Sequence, residues 1–135
     1  MREILFRGKN WAGGWEYGVP VFCGVNNEIA FMKQMNSYDH QVIPETVGQY
    51  TGLADNIGRK IFEGDIVSIG GHIATVDGLY LVIYDTENHC WALKRSSEYH
   101  HHYFTFSDLN GFADTSSVVG NIHDNPELLE QAEHA

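Results

Sequence analysis

The chain has 135 residues, 43% apolar and 13% aromatic, a composition of a globular domain rather than a disordered tract. Eighteen acidic residues against eight basic ones give a formal charge of −10, which disfavours non-specific binding to DNA, RNA or anionic lipid. Such a balance keeps a small protein soluble and suits a partner with a basic surface.

The first element in chain order is "EILFRG", a loosely alternating strand. Its apolar run is too short for the apolar core of a secretory signal. No run in the chain approaches the roughly 18 residues of a membrane-spanning helix. A soluble intracellular protein is expected. "WAGGW" reads as a hairpin tip carrying Trp11 and Trp15, because Gly13-Gly14 marks a turn before the aromatic, β-branched "WEYGVPVFCG". Residues 28–35 are ambiguous: Ile29 and Phe31 alternate as in a strand, while Ile29, Met32 and Met35 fit a helical stripe capped by Asn27. A turn at Asn26-Asn27 between two apolar runs favours the strand.

The stretch "VIPETVGQYTGLADNIGRKIFEGDIV" is the most patterned of the chain, and each of its breaks has a structural purpose. Pro44 stiffens the entry and restricts Val42-Ile43 to extended geometry. Gly48 and Gly52 permit bends or close backbone approach, and Gly58 supplies a positive φ to the "DNIG" turn. Gly64 marks a bulge or turn before a β-branched run, where the Asp65 carboxylate can accept backbone N–H bonds. Strands follow at "KIFEGDIVSIG", on either side of the Asp77-Gly78 hairpin signal, and at "NHCWALKRS", "HHYFTFSDL" and "SVVGNIH". Only "DNPELLEQAEHA" reads as helix, with Asn125 as cap, Pro126 at the first helical position, and Leu128 and Leu129 packed on the body.

Together these signals predict a mainly β protein: an N-terminal β lobe over residues 1–58, a small barrel over 59–135, and a short C-terminal helix. The two lobes are expected to belong to one compact unit. At this size roughly two-thirds of the unfolded surface is buried on folding, so neither metal nor disulfide is needed. Cys23 and Cys90 belong to no CxxC pattern and are expected as two free, mostly buried thiols.

Four pieces, "ILFRGK", "IPETVGQYTGL", "GRKIFEGDIV" and "VVGNIHDNPELLE", resemble in order and spacing the YopX-like family of phage and prophage proteins, from about Glu3 to Glu130. The resemblance implies an all-β protein with an SH3-type barrel in its C-terminal half, acting in the cytoplasm of a bacterial host. It carries no catalytic residues to transfer. The segments "GVNNEIAFMKQMNSYDH" and "SSEYHHHYF" lie outside the motifs that carry it.

Three constellations could bear chemistry. "EYHHHY" places His100 and His102 on one strand face about 7 Å apart, within reach of one metal ion, but a structural zinc site wants four ligands and no partner pair has finger spacing. An exposed histidine tract is the expectation. Glu63 and Asp65 would imitate a glycosidase carboxylate pair on a regular strand, and Gly64 argues for a turn instead. No GxSxG, HExxH or P-loop is present, so no catalytic residue and no cofactor are expected. The many rings, among them Trp11, Trp15, Tyr17, Tyr80, Tyr84, Trp91 and Phe106, suit core filling and cross-strand pairs, with only Lys94 and Arg95 near Trp91 to support base stacking. Trp11 and Trp15 are the candidates to face a partner. The reading is a non-catalytic module that binds an unidentified host or phage protein. The alternative is a nucleic-acid-associated accessory protein built on the barrel.

Overall fold

The computed structural model describes residues 3–34, 38–69, 78–95, 103–105 and 116–129. The protein is mainly β and divides into two compact units, Met1–Gly52 and Leu53–Ala135.

In the first unit, β1 (Phe6–Lys9), β2 (Trp15–Cys23), β3 (Ile29–Lys33) and β4 (His40–Val42) form an antiparallel meander, with β5 (Gly48–Ala54) on the far side of β1. The "WAGGW" segment turns β1 into β2. Asn10 Oδ1 accepts the Ala12 and Gly14 N–H groups at 3.0 and 2.9 Å, and Asn10 N–H donates to the Gly14 carbonyl at 2.8 Å. An asparagine side chain that closes a loop on its own backbone is the local reason for this tip. Between β2 and β3, Asn27 takes a φ of 55° and the Glu28 carboxylate accepts the Asn26 N–H at 2.9 Å. The strand alternative for this segment is therefore the observed one, over Ile29–Lys33. Ala30 and Met32 are fully buried while Ile29 and Lys33 are exposed, a period of two.

Ala30, Met32 and Val42 are the core of this unit, with Phe6 and Val47 packed against it. The chain leaves β4 through extended Ile43 (φ −75°, ψ 118°) into a single 3-10 turn, Pro44–Thr46. Pro44 opens that turn, where no donor is lost. The Thr46 hydroxyl donates to the Ile43 carbonyl at 2.6 Å and accepts the Lys9 N–H at 2.8 Å, fastening the turn to β1.

The second unit contains β6 (Lys60–Phe62), β7 (Asp65–Ile69), β8 (Gly78–Asp85), β9 (Cys90–Arg95), β10 (Tyr103–Thr105) and β11 (Ser116–Asn121). Five of them pair antiparallel in the open order β10-β9-β8-β7-β11. Ile61, Val67, Ile69, Tyr80, Val82 and Leu93 are its core, with Leu53 and Val118 against them. That packing explains why the division falls after Gly52 rather than after Gly58: Leu53 belongs to the second core, and Asp55 is bonded to β11. Gly78 opens β8 opposite Ile69, so β8 takes β7 as its partner. Asp77 and the rest of that hairpin signal lie outside the described residues.

At the end of the chain, residues 127–129 are helical. Asn125 does not cap them with its side chain. Its Oδ1 accepts the Asn121 N–H at 3.3 Å, and its carbonyl accepts the Leu128 N–H at 3.1 Å. Gly120 makes room for this, since a Cβ there would stand 2.5 Å from Asn125 Oδ1. The organiser of this corner is the buried Asn121, whose Oδ1 accepts the His123 and Asp124 N–H groups at 3.0 and 2.9 Å.

Candidate functional site

The residues singled out around the central motif sit at turns. Gly52 (φ +89°), Gly58 (φ +87°) and Gly64 (φ +90°) all occupy the left-handed region, whereas Gly48 is a buried strand residue opposite Arg7. Gly64 reverses the chain between β6 and β7. Its N–H donates to the Val82 carbonyl at 2.9 Å, and its own carbonyl accepts the Ile122 N–H at 2.8 Å. Glu63 and Asp65 therefore do not share a regular strand face. The Asp65 side chain is buried and accepts the Phe62 N–H at 2.7 Å, spanning the turn from the inside.

Asp55, absent from the candidates drawn from sequence, does the same for the "DNIG" turn on a larger scale. Oδ1 accepts the Arg59 and Ile57 N–H groups at 2.8 and 3.1 Å, and Oδ2 accepts the Arg59 guanidinium and the Val118 N–H, both at 3.0 Å. Desolvation pushes this carboxyl upward. The backbone donors of Val118, Arg59 and Ile57 and the Arg59 charge outweigh it and hold the group below the ordinary aspartate value. Two buried carboxylates thus hold two turns, each engaged by backbone donors.

Asp85 is a third turn former, in the open. Its carboxyl lies below the usual range through the Asn88 side-chain bond and the Asn88 and Glu87 N–H groups. Among the described residues no group of three or more His, Cys, Asp or Glu side chains could hold a metal ion. His100 and His102 lie outside the described residues. Cys23 and Cys90 form no disulfide, and Cys23, at the end of β2, is exposed rather than buried.

The remaining feature is a surface. Trp11 is 71% exposed at the β1–β2 tip, while Trp15 is half-buried with the Arg7 guanidinium 4.5 Å above its ring. Trp15 begins a stripe that runs along one face of β2. Tyr17 is 45% exposed, Val19 54% and Val21 39%. Cross-strand register adds Ile29 and Phe31 of β3, opposite Cys23 and Val21, and Lys33, opposite Val19. On the β1 side, Arg7 stands opposite Tyr17 and Lys9 opposite Trp15. The unit's core lies on the other face, with Ala30, Met32 and Val42. Sequence reading missed this stripe by concentrating on tryptophan. Its signal was present in "WEYGVPVFC", where apolar residues occupy both parities although a single sheet with one core needs only one.

The molecule is thus a two-unit, mainly β protein whose N-terminal sheet turns an apolar face outward. The YopX protein family matches residues 23–130, and the chain belongs to that family. β1 and almost all of β2 precede the matched range. Similarity extends over nearly the whole chain in the crystal structure of protein EF1440 from Enterococcus faecalis. That likeness has a TM-score of 0.57 at 26% identity, over 96% of this chain and 99% of that one. No curated protein matches the chain.

Proposed function

We propose that the protein is a non-catalytic interaction module that docks another protein on the outward face of its N-terminal sheet. The observation that carries this reading is the stripe Tyr17, Val19 and Val21, exposed on a central strand of the sheet. Scattered apolar residues are ordinary on a surface, but a contiguous row along a paired strand is the kind of patch that partners cover. The buried carboxylates support it from the other side, because both are spent on turns. The resemblance to phage and prophage proteins suggests the bacterial cytoplasm as the setting and a host or phage protein as partner. We read the second unit as an SH3-type small barrel that serves as scaffold, on the strength of its five paired strands and the pairing of β7 with β11.

The test is affinity purification from the bacterial host with the wild-type protein and the Val19→Asn/Val21→Asn variant in parallel. The expected outcome is a protein retained by the wild type and lost by the variant, with the melting temperature unchanged and direct binding reproduced with the purified partner. Equal retention by both proteins would refute the face as the docking site.

A further inference from the structure

The formal charge of the chain is unevenly divided. The first unit holds four basic and five acidic residues, the second four basic and thirteen acidic. The acidic character that argued for a basic partner is therefore a property of the second unit. On the outward face of the first unit the sign reverses. Following the register from β1 to β4, the strand residues of that face are Arg7 and Lys9, then Trp15 through Cys23 by alternation, then Ile29, Phe31 and Lys33, then Gln41. Every charged strand residue on it is a cation.

Resting on the reading of this face as a docking surface, we infer that its occupant is an acidic polypeptide surface: apolar residues flanked by carboxylates. Val19, Val21 and Ile29 supply an aliphatic strip that gains by leaving water, and Lys33 on one side with Lys9 on the other sets the sign of the partner's rim. A second copy presenting the same face would set cations against cations. A nucleic acid fits less well. Of the exposed residues Tyr17, Val19, Val21 and Ile29, a single one, Tyr17, offers a stacking plane, and Arg7 is buried over Trp15 rather than extended toward a phosphate.

The experiment is selection from a random-peptide display library on the full-length protein, held by its C-terminus. Enriched peptides are then synthesised and titrated onto wild type, Val19→Asn and Lys33→Glu. Val21→Asn stands in should Val19→Asn fail to fold. The expected peptides combine aliphatic or aromatic residues with an excess of Asp and Glu. Their binding is lost with Val19→Asn, and it weakens about fivefold with Lys33→Glu and again in high salt. Peptides that depend on Val19 yet show no acidic excess, or ignore Lys33→Glu, overturn the inference and leave the docking face standing. Peptides indifferent to Val19→Asn, or no enrichment at all, overturn both. An oligothymidine that binds wild type and is lost with Val19→Asn and Lys33→Glu would overturn the polypeptide assignment in favour of single-stranded nucleic acid.

Discussion

The two units spend their apolar residues differently. The second directs Ile61, Val67, Ile69, Tyr80, Val82 and Leu93 into one core and closes its turns with buried carboxylates. The first has three fully buried core residues, Ala30, Met32 and Val42. Of the large apolar side chains exposed among the described residues, nine belong to the first unit and three to the second. A core larger than its sheet face needs internal polar clasps to be specific. A sheet with more apolar surface than core has surface to offer a partner. On the docking reading proposed above, folding determinants and binding determinants are segregated along this chain, and substitutions should sort accordingly.

The largest effect is expected in the second unit at Asp65. Asp65→Ala leaves the buried Phe62 N–H without its acceptor, and should lower unfolding free energy by about 3 kcal/mol in urea denaturation. A loss below about 0.5 kcal/mol, near the level of neutral surface changes, would remove the clasp from the comparison. Next comes Asp55→Asn, expected to cost about 2 kcal/mol at neutral pH, since an amide nitrogen replaces one of two oxygens that each accept two donors. The sign of its pH dependence follows from the lowered pKa. The folded value lies below the unfolded value of about 3.9, so the carboxylate's contribution is complete above roughly pH 4 and is lost as pH falls through the folded pKa. Melting curves of wild type and Asp55→Asn should therefore converge as pH is lowered from about 4 through the folded pKa.

A smaller loss, about 1.5 kcal/mol, is expected for Trp91→Ala. Trp91 is half-buried on β9 with its ring edge-on to Tyr84 at 5.2 Å, a partial rather than a full core truncation. Smallest are the changes on the first unit: Trp11→Ala and Val19→Asn should each shift stability by less than about 0.5 kcal/mol. If Val19→Asn destabilised as much as Trp91→Ala, the outward stripe would be part of the folding machinery and the segregation would fail.

Much of this architecture was readable beforehand, and the failures share a cause. Turn chemistry is local, so Gly13-Gly14, Asn26-Asn27, "DNIG" and "EGD" announced themselves through residue type, and β3 could be favoured over a helix, whereas the Asn10 side chain that closes the first of these turns did not. The side-chain partners were not local. Asp55 reaches Val118 across 63 positions, and Thr46 reaches Lys9 across 37. Neither is visible until strands are placed beside each other. Asn125 looked like a helix cap because capping is a local rule, and it was claimed by Asn121 and the space left by Gly120. The stripe on β2 was legible as composition but not as exposure. An apolar residue in a strand is inward or outward only once the core has chosen a face, and Met32 with Val42 made that choice.

Cys23 closes the outward row of β2 opposite Ile29 with its thiol exposed, whereas Cys90 is half-buried on β9. The native chain therefore carries its own occupancy gauge. A molecule lying along the strip would shield one sulfur from an alkylating reagent and leave the other at its ordinary rate. The ratio of the two labelling rates, read by mass spectrometry on unmodified protein in a cell extract, would report whether the strip is covered before any partner has a name.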